Sequence, residues 1–204
     1  MNNKKDIIFL ILVLVFWLIL NVVEHYLTYA LVTLLWLVLS FTLFIIAIIQ
    51  LVKLFRERKN ISKMRIVKVI FWVLLFYFTL YRWHFDKIIE KADWHIFYNK
   101  RMEIVKKVQQ KEIFQNDDYG LYKLPFDFPI VSHDGNDIMI IRNDSTNTIT
   151  IEFFIFRNFF SAPSTYLIYT NDEKNINDYD NFVKREPKHN WKIKDNWYRI
   201  MVNH

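Results

Sequence analysis

Hydrophobic and polar positions divide this chain near Trp83. From Ile7 to Trp83, long apolar runs are separated by short polar breaks. Beyond Trp83, apolar residues recur first at helical and then at alternating spacing. The first run, Ile7 to Val23, is seventeen residues with one polar member, Asn21, close to the shortest length that crosses a hydrocarbon core of about 30 Å. The second, Leu27 to Val52, contains no charge and is long enough to cross with some tilt. The third, Ile66 to Trp83, has Lys68 and Arg82 near its ends, where long side chains reach toward headgroups. The pattern predicts three transmembrane helices over about 7–23, 27–52 and 66–83. "MNNKK" resembles the basic start of a signal peptide, but "NVVEHYLTYA" offers no small-x-small cleavage site, so the first span is read as retained.

After the third run, Trp94, Tyr98, Met102, Val105 and Val108 fall at spacings of three and four. This predicts an amphipathic helical stalk over 84–115 whose apolar face packs on the C-terminal domain. Residues 116–204 then read as a small domain with an antiparallel sheet of about five to seven strands. "TITIEFFIFR" sets Ile149, Ile151, Phe153 and Ile155 on one face and Thr150, Glu152, Phe154 and Phe156 on the other, which predicts a strand covered on both sides. "FDFPIVS" and "DIMIIR" flank "HDGN" as a hairpin would, "STYLIYT" follows an Ala162-Pro163 turn, and "WKIKDNWYRIMV" turns at Asp195-Asn196. The polar stretch 171–190 reads as a long exposed loop. The fold class expected is a membrane protein: three N-terminal transmembrane α-helices (1–83), the stalk, and a small α+β domain with an antiparallel sheet.

Charge adds orientation. Residues 1–83 carry ten Lys or Arg against three acids, and residues 84–204 carry seventeen against eighteen, so the basic excess lies beside the apolar runs. A pI near 9.3 therefore does not indicate a nucleic-acid partner. Six basic residues fall between Lys53 and Arg65, Lys4 and Lys5 precede the first run, and the turn "NVVEHY" has neither Lys nor Arg. Basic flanks stay cytoplasmic, so the N-terminus and the Lys53–Arg65 connection are expected inside and the C-terminal domain outside the cytoplasm.

Candidate chemistry changes this picture little. There is no cysteine, no glycine-rich phosphate loop and no HExxH or GxSxG motif, so no cofactor is expected and no catalytic residue is nominated. His84 with Asp86, or Asp93 with His95, reads as a surface pair rather than a metal site. Asp172, Glu173, Asp178 and Asp180 lack the spacing of a calcium loop. The residues singled out for partner contact are Phe159 and Phe160 beside the proline turn, and Asp178, Tyr179 and Asp180 in the polar stretch. The expected function is binding without catalysis, of the immunity, envelope-accessory or sensor type. The expected partners are the lipid bilayer and either another membrane or envelope protein or a second copy of the chain. The alternatives are a membrane effector with a cytoplasmic, ligand-sensing sheet domain, and a membrane-anchored hydrolase.

Overall fold

The computed structural model describes residues 3–26, 29–81, 83–113, 120–156 and 164–202, and divides the chain into two compact units, Met1–Ile89 and Glu90–His204. In the first, α1 (Asn3–His25), α2 (Tyr29–Arg56) and α3 (Lys63–Leu80) are rich in straight-chain and branched apolar residues and contain no glycine or proline. α1 and α2 are each long and apolar enough to cross a membrane. α3 has 18 residues, with Lys63, Arg65 and Lys68 in its first turns, and reaches that measure only together with the helix that follows it. It stops at Leu80, where the Tyr81 amide donates to Tyr77 O at 3.0 Å, three residues short of the expected span end.

Polar groups link the three helices at both ends. Lys68 Nζ meets Asp6 Oδ1 at 2.9 Å, setting the start of α1 beside the start of α3. Arg65 grips Glu57 through two hydrogen bonds of 2.6 and 2.8 Å and reaches Gln50 Oε1 at 3.2 Å, closing the basic connection between α2 and α3. That guanidinium holds the Glu57 carboxyl below its ordinary range. Farther along, the Thr79 hydroxyl accepts from Trp17 Nε1 at 2.8 Å and donates to Leu75 O, while Thr79 O accepts from Trp36 Nε1 at 3.0 Å. One threonine thereby serves all three helices.

The second unit is a six-stranded antiparallel sheet with a helix against each face. Its strands are β1 (Leu121–Lys123), β2 (Asp137–Asn143), β3 (Thr148–Phe156), β4 (Ser164–Thr170), β5 (Trp191–Lys194) and β6 (Trp197–Val202), in the spatial order β1-β2-β3-β4-β6-β5. Every residue of β4 is buried. One face presents Ile138, Ile140, Ile151, Phe153, Leu167 and Trp197 to the helix α4 (Trp83–Gln109), whose Trp94, Ile104, Val105 and Val108 complete that core. Trp197, 1% exposed, is packed by Trp94 at 4.9 Å, Tyr169 at 5.3 Å and Phe153 at 5.8 Å between ring centroids. The expected amphipathic stripe of α4 is the stripe that packs.

Two local readings are corrected. "HDGN" is no hairpin turn but a single helical turn, α5 (His133–Asn136), and β2 pairs with β1 and β3 instead. Pro125 and Pro129 remove amide donors from the preceding segment, which a ladder would need. The side chain of Asn136 takes over: its Oδ1 accepts from the Val131 and Ser132 amides, and its Nδ2 donates to Phe126 O and Pro129 O at 3.1 and 3.0 Å. The expected exposed loop at 171–190 holds a helix, α6 (Glu173–Arg185). Asp172 caps it by accepting from the Lys174 and Asn175 amides, and Ile176, Tyr179 and Val183 form a narrow stripe on an otherwise charged helix. The hairpin at Asp195-Asn196 is present, with Asn196 at φ 64°.

An ion pair lies entirely inside this unit. Arg101 Nη2 meets Asp93 Oδ2 at 2.6 Å, the two side chains being 1% and 3% exposed, and Arg101 Nε donates to Val131 O at 2.9 Å. The pair ties α4 to the segment before α5. Arg101→Leu, which leaves Asp93 buried without its guanidinium, is expected to cost about 3–5 kcal/mol. Denaturant titration of the full chain in detergent, followed by tryptophan fluorescence, measures this, and a loss below about 1 kcal/mol would deny the pair its structural part.

Candidate functional site

Where the first turns of the buried part of α4 meet β5 and β6, the packing of the second unit opens into a cleft of about 340 Å³. That volume is at the small end of ligand sites. Its apolar lining comes from Trp94 of α4 and from Ile155, Leu167 and Ile193, which alternation along the strands directs to the α4 side. One wall is Arg199 of β6, whose guanidinium lies over the Trp191 ring at 4.7 Å and meets Glu90 of α4 through two bonds of 3.1 Å each. A further Arg199 N–H donates to the carbonyl of His189. Arg199 and Glu90 are each 12% exposed, so the pair is partly withdrawn from solvent and its fork geometry is fixed from three sides.

Lys91 and His95 lie four residues apart on α4 at the mouth of the cleft, both exposed. Among the described residues neither has a hydrogen-bond or ion-pair partner. The lining contains a carboxylate, cations and an imidazole but no hydroxyl or thiol nucleophile. Such a site can hold a molecule by apolar contact and charge.

The opposite face of the sheet carries Phe154, Tyr166, Ile168, Tyr198 and Ile200 beneath α6. Here the sequence-nominated residues separate. Tyr179 packs on Tyr198 with centroids 5.4 Å apart, Asp180 accepts from the Tyr198 hydroxyl at 2.9 Å, and Asp178 is exposed. Tyr179 and Asp180 thus hold α6 to the sheet. Phe159, Phe160 and the Ala162-Pro163 turn lie outside the described residues. Of the two histidine–aspartate pairs, Asp93 is turned into the core toward Arg101 while His95 faces solvent, so those two side chains diverge. The acidic residues of 172–180 do not converge on a point either, because Asp172 is engaged as the α6 cap and by the Thr148 hydroxyl at 2.7 Å.

Sequence reasoning did not find the cleft. Glu90 and Arg199 are 109 positions apart, and no local pattern announces their meeting. It also passed over Glu152, which sits on the α6 side of β3 between Met139 of β2 and Ile168 of β4. Burial there pushes its carboxyl up to about 7. No protein-family model, curated protein or solved structure matches this chain.

Replacing Arg199 tests how the cleft wall is held. Arg199→Met removes both bonds to Glu90 and the charge over Trp191, and should lower the stability of the full chain by about 1.5–3 kcal/mol in denaturant titrations. Arg199→Lys restores the charge without the fork or the planar stack, and should recover less than half of that loss.

Proposed function

We propose that this protein is a non-catalytic integral membrane protein that displays a ligand- or partner-binding α+β unit outside the cytoplasm. One observation carries the reading. The large apolar side chains of α1 and α2 point away from their own unit: Leu12 is 61% exposed, Leu34 64% and Phe41 66%, along helices about 34 and 42 Å long. A surface of that extent and polarity needs lipid or protein to cover it. With α3 as the third span, the Asp6–Lys68 and Glu57–Arg65 pairs gather the basic N-terminus and the basic connection at one end of the helices, which is the cytoplasmic end by the distribution of Lys and Arg.

The cleft beside Arg199 is the binding site in this reading. Its apolar lining, with the unpaired Lys91 and His95 at the mouth, suits a small molecule that has an apolar body and an anionic group.

Topology is checked with single cysteines at Asn60 and Lys188, since the native chain has no thiol. An impermeant maleimide applied to intact cells is expected to label Lys188→Cys and to reach Asn60→Cys only after permeabilisation. The opposite pattern, or labelling of neither site before permeabilisation, would overturn the orientation, and labelling of both in intact cells would overturn α3 as a span. For the cleft, octanoate added to the protein in zwitterionic nanodiscs is expected to quench tryptophan fluorescence saturably, and octanol much less. Lys91→Glu with His95→Glu should weaken octanoate at least tenfold, whereas equal affinity for acid and alcohol would remove the anionic requirement.

A further inference from the structure

We propose that Glu152 and α6 form a proton-operated latch, in which the helix lies closed on the sheet while Glu152 is protonated and is released when the proton leaves. This goes beyond the binding reading and does not depend on membrane topology. Glu152 occupies the middle of β3, with Thr150 and Phe154 on either side of it along that face. The residue is half-buried, and among the described residues its carboxyl makes no hydrogen bond and no ion pair. A carboxylate in such a place is costly in its charged form and acceptable when neutral.

Among the described residues no cation is paired with it. From α6 come Tyr179 and, on either side of it, Asp178 and Asp180. From β6 comes Tyr198, whose hydroxyl is engaged with Asp180. The Lys192 ammonium of β5 lies over the Tyr198 ring at 5.3 Å and 3.6 Å from Asp180. Lys123 and Asp137 occupy the far end of the face, at β1 and β2. Burial, and after it the negative charges of Glu152 and Asp178, push the Tyr179 phenol upward.

α6 is built to lift. None of its thirteen residues is buried. It is held by the Asn175 Nδ2 bond to Thr150 Oγ1 at 2.9 Å, by the Tyr179–Tyr198 contact and by the Tyr198–Asp180 bond. An element with so few anchors opens locally at low cost. The sign follows from the raised carboxyl: the closed state binds the proton more tightly than the open state, so closure is strongest at low pH and weakens as pH rises through about 7. From an ordinary carboxyl near 4.5 to one at about 7, the closed-to-open ratio changes by up to about 300-fold.

The test is hydrogen exchange of the α6 amides in the full chain in nanodiscs at pH 5.5 and 8.5, corrected for intrinsic rates. Protection of α6 is expected to fall by at least tenfold at the higher pH, while protection of β3 and β4 is retained. Glu152→Gln should keep the helix protected at both values. This also separates Glu152 from the imidazole of His189, which lies just beyond α6. Equal protection of α6 at both pH values in the native chain, or the same pH dependence in Glu152→Gln, would overturn the latch. Tyr198→Phe loosens one anchor, so it should lower protection at both values and preserve the pH dependence.

Discussion

Strand β4 has all seven of its residues buried, and a strand hidden on both faces obliges the chain to provide two covers. α4 is the first cover, with a broad apolar stripe and the internal Arg101–Asp93 pair. α6 is the second, with a narrow stripe and a charged outer surface. The two differ in strength because their stripes differ in width: burial of apolar area stabilises in proportion to that area. The same sheet is therefore clamped on one side and lightly covered on the other.

The β5–β6 hairpin joins these two sides. Along it, Trp191 and Arg199 face the cleft under α4, while Lys192 and Tyr198 face α6. Alternation in an extended chain puts neighbours on opposite faces, so both sites draw on the backbone of one hairpin, and Lys192 borders each of them.

How much of this was legible depended on whether an element announced itself locally. The apolar runs of α1 and α2 were legible from their uninterrupted length, and the stripe Trp94–Tyr98–Met102–Val105–Val108 and the two-sided strand at 149–155 from their period. The turn at Asp195-Asn196 was visible because those residue types accept positive φ. α6 was hidden because charged residues outnumber its three inward apolar positions. "HDGN" misled because the outcome was decided by the Asn136 side chain and by two prolines rather than by the Asp-Gly pair. The cleft was out of reach because Glu90 and Arg199 meet only once the sheet is assembled. The face that holds Glu152 was foreseen, but that it is roofed by a helix was not.

The sheet's order leaves β1 and β5 at its margins. β1 is only three residues long, and β5 carries the exposed residues Lys192 and Lys194. Short rims and solvated ammonium groups are poor templates for a stranger's backbone. Molecules concentrated side by side meet far more often than the same number free in solution, and blunt margins of this kind keep such encounters from becoming strand-to-strand aggregates.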